Sequence, residues 1–309
     1  MNPIQNKYTI IGAGRLATAL ATALGETGLV PDLVVSRNLQ HANRLALQFP
    51  SADAVAFKGI ESITSRLVII SVSDDALTGV AEHLATLPVD WSEAIVLHTS
   101  GSWSSEVLKP LSELGASTAS FHPVQTFTEA DSDGKGGMLF SGLPIAVEGD
   151  KAAVVFAGAL AERLQAVAFR IDPEKKILFH ASAVVSSNFL VTLLALANEL
   201  VDSTFESGKP PIDLFRALTQ RAIDNALNMG PEAALTGPIV RGDIRVLEAH
   251  LVQLSKNASH LVPVYAALAT ETVRLAANSG RIDHEISEVM LDTISRHLDA
   301  YTGGHGKSS

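Results

Sequence analysis

Near the start of the chain, Gly12-Ala13-Gly14-Arg15-Leu16-Ala17 has the residue types and spacing of an anion cradle. Gly12 permits a tight turn, Gly14 lets the backbone approach a diphosphate, and Ala17 keeps the following helix close to the preceding strand. The loop follows an apolar run, Tyr8–Ile11, and opens a segment in which Leu16, Ala19, Leu20, Ala23 and Leu24 recur at helical spacing. A strand, turn and helix in that order aim the first helical amides at the ligand. The segment therefore reads as a dinucleotide-binding loop rather than a structural glycine turn.

The end of the second strand decides which dinucleotide is expected. A site for NAD usually carries an acid there, about 20 residues beyond the loop. Asp32 has that spacing but precedes the strand Leu33–Ser36, at the wrong end. The strand ends instead in Ser36-Arg37-Asn38. A hydroxyl and a guanidinium suit a 2′-phosphate, and the absence of a carboxylate removes the repulsion that would reject it. The expected cofactor is NADP(H), the alternative for Arg37 being an exposed loop arginine. Val72 and Ser73, at the end of another strand, are expected to offer backbone contacts to the nicotinamide ribose, and Asp75 to cap the next helix.

A second group of polar residues falls at strand ends on the same edge. His98 and Ser100 lie in LHTSGS, and His122 in SFHPVQTF. Ligands of open α/β sheets collect at the carboxyl ends of the strands, and an imidazole can move the proton that accompanies hydride transfer. His122 is the candidate acid or base and Ser100 the candidate orienting group. A later apolar segment, HASAVVSSN, places His180, Ser187 and Asn188 on one helical face. They either line a cleft or satisfy one another in a packing seam. Arg241 suits an anionic substrate, a partner subunit or plain solvent; Asp243 suits a helix cap, and His250 a packed position beside Leu247, Leu251 and Leu254. The histidines offer no compact metal-ligand spacing, so no metal is expected.

The elements that must position these residues alternate through the first half. Apolar runs at Tyr8–Ile11, Leu33–Ser36, Leu67–Val72, Ala94–His98, Ala116–Phe121, Leu143–Val147 and Ala166–Ile171 read as strands. Helical patterns over Asp75–Leu87, Ser104–Leu114 and Lys151–Leu164 lie between them, the signature of a parallel α/β architecture. After Asp172-Pro173, a cap and first-turn pair, the strands cease. One long, buried helix is expected from there to Ser207, followed by helices near 212–228, 243–257, 260–278 and 284–301. The predicted fold is an N-terminal Rossmann doubly wound sheet (1–172), an all-α C-terminal domain (173–302) and a flexible tail (303–309).

A 309-residue chain with 47% hydrophobic residues suffices for two cores. A net charge of −10 disfavours nucleic acid as a partner, which needs clustered cations. The absence of cysteine excludes disulfides and thiolate chemistry. No signal peptide is visible in the polar stretch before Tyr8. The richest apolar stretch, Ala181–Leu200, is interrupted by serine, threonine and asparagine. A cytoplasmic protein with no membrane partner is expected.

GAGRLA, SR, HTSG, SFHPVQTF, HASAVVSSNF and ALTGPIVRGD together resemble the Rossmann-like NADP oxidoreductase family with a C-terminal helical domain of unknown function. More distantly, the arrangement is similar to pyrroline-5-carboxylate reductase, prephenate dehydrogenase and the β-hydroxyacid dehydrogenases. That resemblance implies a helical domain like the C-terminal one of 6-phosphogluconate dehydrogenase, a small-molecule substrate in a cleft between domains, and a homodimer through the helices. It also favours His122, since prephenate dehydrogenases carry a substrate-facing histidine in a similar His-Pro loop. The match departs from the β-hydroxyacid dehydrogenases where Val184 stands at their lysine position and Ser187 at their first asparagine. The implied function is an NADP(H)-dependent oxidoreductase acting on a small polar carbonyl, imine or hydroxy compound. The alternatives are a non-catalytic NADP(H)-binding sensor or assembly protein, and a deazaflavin- or flavin-linked NADP reductase.

Overall fold

The computed structural model describes residues 6–128, 136–202 and 214–305. Its Cα packing divides the chain into units Met1–Leu190 and Val191–Ser309. The division lies beyond the 172/173 boundary drawn from sequence, because the helix after Pro173 packs on the sheet of the first unit through Lys176 and His180.

The first unit holds one sheet of eight strands: β1 (Lys7–Ile11), β2 (Val30–Ser36), β3 (Asp53–Ala56), β4 (Leu67–Ile70), β5 (Ile95–His98), β6 (Ser117–Pro123), β7 (Pro144–Gly149) and β8 (Val167–Arg170). Their order is β3-β2-β1-β4-β5-β6-β7-β8. β1 to β6 run parallel, and β7 reverses against β6 with β8 parallel to it. The Rossmann architecture predicted from the alternation is present.

Strands covered on both faces must be apolar throughout, and β4, with all four residues of LVII buried, is such a strand. Successive residues serve opposite cores. Ile10, Val34, Ile69, Leu97 and Phe121 pack under α1 (Arg15–Glu26), α2 (Leu39–Ala46), α5 (Gly136–Phe140) and α6 (Lys151–Arg163). Ile11, Val35, Ile70 and Val96 pack under α3 (Asp74–Ala85) and α4 (Lys109–Ser112). β3 and α2 were not anticipated: β3 is a four-residue edge strand that begins with an acid. The start of α2 had a legible signal, since the Asn38 side chain accepts a hydrogen bond from the Gln40 amide at 2.9 Å.

Three local expectations change. Ser73 stands at the N-cap position of α3 without a side-chain capping bond, and Asp74 and Asp75 both lie in the first turn, so Asp75 is not the cap. The segment Ser104–Leu114 forms a 3-10 turn at Ser105–Leu108 and a single α-turn, α4, because Pro110 supplies no amide to continue a longer helix. The long helix after Pro173 is broken: α7 (Lys176–Ser186) ends at Ser187, whose φ of −125° and ψ of −69° are non-helical, and α8 (Asn188–Asp202) follows. Ser182, Ser186 and Ser187 donate hydroxyl bonds to carbonyls three or four residues back, a pattern that bends helices. Asp172 caps the turn that precedes α7 by accepting from the Glu174 amide at 3.0 Å. The expected helix end at residues 203–207 and the Gly208–Pro211 stop lie outside the described residues.

Burial departs from expectation as well. Ile177 (59% exposed), Leu178 (70%), Val185 (59%) and Val191 (68%) face outward, so this segment is not a core helix of the single chain. By length and composition alone Pro173–Val201 could cross a membrane, and the most apolar part of it is not buried.

Beyond the remainder of α8, the second unit consists of α9 (Arg216–Met229), α10 (Pro231–Ala234), α11 (Ile244–Asn257), α12 (Val262–Asn278) and α13 (His284–His305). Its core joins Leu247 and Leu251 of α11 to Ala269 and Val273 of α12 and to Met290 and Ile294 of α13. Helix α13 continues to His305, past the 302/303 boundary expected for the tail. Asp243 stands at the α11 N-cap position, but its carboxylate binds Arg241 at 2.9 Å. His250 bonds the Tyr265 hydroxyl at 2.8 Å but is exposed, so the packed position expected for it is not found.

Candidate functional site

The loop after β1 turns because Gly12 adopts φ +117°. A Cβ at that position would lie 1.9 Å from the Ser71 carbonyl oxygen, so only glycine fits. Gly14 has an ordinary φ of −83° and is the N-cap of α1; a Cβ there would meet no atom within 4 Å. Its side is open to a ligand approaching the unpaired amides of the helix. Ala17 is fully buried against the sheet.

These residues open into a cavity of about 450 Å³ walled by Gly12, Ala13 and Gly14, by Ser36 and Arg37, and by Val72 and Ser73. Of the residues read from sequence as cofactor contacts, Arg15, Leu16 and Ala17 do not line it: Arg15 is exposed, while Leu16 and Ala17 pack inward. Further lining residues escaped the sequence reading, among them His41 on the first turn of α2 and Phe57 after β3. Arg37 is exposed and makes no hydrogen bond or ion pair among the described residues, so its guanidinium is available to an anion. Asp32 is turned elsewhere, accepting from Ser65 Oγ at 3.1 Å.

Contacts lead from this cavity to the histidines. Thr99 Oγ1 donates to Ser71 Oγ at 3.0 Å, and the Thr99 carbonyl accepts from His122 Nδ1 at 3.2 Å. A carbonyl has no proton to give, so His122 carries its proton on Nδ1 and leaves Nε2 as the acceptor. Burial pushes the imidazole down to about 4, reinforced by the Lys176 charge and by His180, against the Thr99 bond and Asp74. His122 is therefore neutral at pH 7, with a basic lone pair on Nε2.

His180, from α7, meets His122 edge to face with ring centroids 6.0 Å apart. Its Nδ1 is buried with no hydrogen-bond partner. His122 thus presents an acceptor at Nε2, with the His180 ring beside it. Gly101 makes their approach possible: a Cβ there would lie 2.5 Å from His180 Nδ1 and 2.8 Å from His122 Nε2. His122, His180, Gln125, Ser187 and Asn188 share a cavity of about 290 Å³ within the first unit.

Two other candidates have structural duties. Ser100 Oγ accepts from the Ser102 and Trp103 amides at 3.2 and 3.0 Å, shaping the turn that carries Gly101. His98 is fully buried, with Nδ1 accepting from the Ser100 amide at 3.2 Å, and burial holds its pKa well below 6.5. Among the described residues no cluster of three His, Asp or Glu side chains could hold a metal.

Stability should fall as the pH drops from about 6.5 towards 4. The unfolded chain binds protons there that folded His122 refuses, so the penalty is absent above the unfolded pKa and complete below the folded one. For a change from 6.5 to about 4 it is worth up to about 3 kcal/mol. Urea midpoints at pH 7 and pH 5 would read it, and equal midpoints would place His122 at its ordinary pKa.

Residues 1–123 match the Rossmann-like domain family, and residues 143–272 match the domain of unknown function DUF2520. The chain is a Rossmann-like domain followed by a DUF2520 domain. His122 closes the first match, whereas His180 and Asn188 belong to the second, so the histidine cavity is assembled from both. A search of curated proteins found no significant match.

Among solved structures, a Bacteroides fragilis protein provisionally named an NADP oxidoreductase aligns at 26% identity and TM-score 0.70, over 87% of this chain and 97% of its own. A Thermotoga maritima protein aligns at 28% identity and TM-score 0.68, over 89% and 100%. The Aquifex aeolicus prephenate dehydrogenase, solved with hydroxyphenyl propionate and NAD+, shares the fold at 14% identity and TM-score 0.52, over 100% and 89%. The Rossmann-like/DUF2520 chain therefore shares the fold of proteins named as oxidoreductases.

Proposed function

We propose that this protein is an NADP(H)-dependent oxidoreductase acting on a small polar carbonyl, imine or hydroxy compound at the His122–His180 cavity. The observation that carries the cofactor reading is the Gly12–Gly14 cradle, which opens into a cavity ending at Ser36, Arg37 and His41 with no carboxylate on that wall. Gly12, Ala13 and Gly14 would hold the diphosphate, Ser36, Arg37 and His41 the 2′-phosphate, Phe57 the adenine, and Val72 and Ser73 the nicotinamide ribose. The bound nicotinamide supplies or accepts the hydride.

The chain's own residues handle the proton. In the oxidising direction His122 Nε2 takes the hydroxyl proton as the carbon gives up its hydride, while His180 Nε2–H donates to the oxygen that becomes a carbonyl. Asn188 and Gln125 offer amide donors and acceptors to the rest of the substrate. Ser100 orients indirectly, by shaping the turn at Gly101.

Titration of the wild type and Arg37→Glu with NADPH and NADH tests the cofactor assignment. Losing a charge-assisted bond of about 1.5–3 kcal/mol predicts roughly 10- to 100-fold weaker NADPH binding with NADH little changed. A wild-type preference for NADH, or an unchanged NADPH affinity in the variant, contradicts it. A metabolite screen followed by nicotinamide absorbance, with a deazaflavin and a flavin among the acceptors, tests the activity. Cofactor-dependent partner binding without turnover would favour a sensor instead.

We also propose a homodimer that covers the exposed apolar side of α7 and α8. Large apolar patches on a single chain mark interaction surfaces. Another face of α7 carries Lys176 and His180 into the first unit, and spanning a bilayer would pull those polar groups away from their partners. Sedimentation should give twice the monomer mass, and Val185→Glu should shift it towards the monomer; a wild-type monomer at micromolar concentration overturns the assignment.

A further inference from the structure

Alternate residues of β6 (Thr118, Ser120 and His122) turn away from the core of Ala119 and Phe121. Strand pairing sets His98 of β5 opposite Ser120, and Ser120 opposite Glu148 of β7. A polar row therefore crosses three strands beneath α7, with His122 and Ala146 paired one step further along. Lys176 lies over this row, 1% exposed, with Nζ donating to Ser120 Oγ and to Glu148 Oε1 at 3.3 Å. Glu148, 2% exposed, also accepts from the Ser105 amide at 2.9 Å and hydroxyl at 2.8 Å. Its carboxylate is satisfied on both oxygens.

A buried ammonium is costly unless paired and hydrogen-bonded, and such a group persists where it fixes a geometry. Its placement tells which geometry. Lys176 and His180 are four residues apart on α7, hence on one helical face. Ser120 and His122 are two apart on β6, hence on one sheet face. The lysine meets the serine and the histidine meets the histidine, so helix and strand are joined by two rungs; the first is a hydrogen bond, and its ammonium is also paired with Glu148 on β7.

We propose that Lys176 is a positioning residue: its bridge to Ser120 and Glu148 seats α7 on β6 so that His180 meets His122. The inference rests on the assignment of His122 and His180 as the reactive pair. The charged and titratable groups around His122 are Lys176 and His180 on α7, His98 on β5 and Asp74 at the start of α3. Lys176 and His180 oppose a charge on His122, while Asp74 favours it. Lys176 itself is pushed down to about 8 by burial, with Glu148 and Asp74 opposing, so its charge is largely in place at neutral pH and disappears above about 8.

The test is the titration of the His122 ring followed by nitrogen-detected NMR in the apo protein, which needs neither cofactor nor substrate. Lys176→Arg, which keeps the charge and the bridge, should leave the midpoint unchanged. Lys176→Met combined with Glu148→Gln removes both charges without stranding one, and should raise the midpoint by about one pH unit and shift the His180 ring signals. A folded double variant whose His122 midpoint and His180 signals match the wild type would overturn the proposal and leave Lys176 a packing residue. Should the double variant not fold, Ser120→Ala provides the second arm: the ammonium stays on Glu148, so the midpoint should hold while the His180 signals move, and unmoved signals would overturn the seating role. NADPH affinity in the same variants should stay within about threefold, since the cradle lies elsewhere. If no variant or wild type binds nucleotide, the cofactor reading fails while the His122 result still decides the role of Lys176.

Discussion

Alanine at position 12 is expected to abolish nucleotide binding, lowering affinity at least ~100-fold, and to cost roughly 1–3 kcal/mol of stability for the strained backbone alone. At φ +117° a side chain is disfavoured whatever the space, and here the space is already taken by Ser71 at 1.9 Å. The collision cannot be relieved by rotating a side chain, because the obstacle is a backbone carbonyl between β4 and α3. The Gly12 amide donates to the Val35 carbonyl at 2.7 Å, and the Ser71 amide to the Ile11 carbonyl at 2.7 Å, so moving either residue breaks a ladder bond. Gly14→Ala is the matched control. Its new methyl meets no protein atom within 4 Å, so the fold should survive, and any loss of affinity reports the closeness of the ligand itself. Calorimetric titration with NADPH beside a thermal melt separates the two variants. A Gly14→Ala protein that binds as tightly as the wild type would mean that no diphosphate comes near that backbone.

The second large effect is expected from Gly101→Ala. Its backbone conformation is open to any residue, so strain is not the issue; the methyl would fall 2.5 Å from His180 Nδ1 and 2.7 Å from His122 Cε1. Both rings must swing away, and an error of about 1 Å in a catalytic pair is worth roughly 100-fold in turnover. NADPH affinity should change by less than about threefold, because the change lies beyond the cradle. Turnover on the substrate found by screening, measured with the nucleotide dissociation constant, is the decisive pair of numbers. Equal loss in both would place Gly101 in the fold rather than in the chemistry, and unchanged turnover would remove His122 and His180 from it.

The cofactor loop was legible because its chemistry permits few residues: a turn that must clear Ser71 needs glycine wherever it occurs. Ser36 and Arg37 were legible for a related reason, since the end of a strand can be found from its apolar run. His41 was not, because it belongs to α2, a short helix whose Asn38 cap went unread. β3 was missed as an edge strand whose DAVA lacks the length of a buried run. The His122–His180 meeting could be guessed only as shared membership of an expected cleft, whereas the His122 tautomer depends on the Thr99 carbonyl and the approach of the rings on Gly101. Lys176 was passed over altogether. A lysine in the first turn of a helix ordinarily faces water, and its acid partner lies 28 residues earlier on a strand that runs against its neighbour. Periodicity carries no information about that registration.

The reversal of β7 has a chemical side. In an antiparallel pair, sliding one strand by two residues keeps every side chain on its own face, so hydrophobic sorting alone would tolerate it. Such a slide would carry Glu148 towards the partner position of His122, trading an acid neutralised by an amine for one that makes an imidazole more basic. What forbids it is a clasp at the far end of the ladder. The Asp150 carboxylate takes the Thr118 amide at 2.7 Å and hydroxyl at 3.2 Å, and Gly149, at φ +132°, leaves no room for a Cβ beside the Thr118 carbonyl. The surroundings of His122 are thus set in part by a hairpin-like fastening several residues away, which holds Glu148 beside Lys176 rather than beside the imidazole.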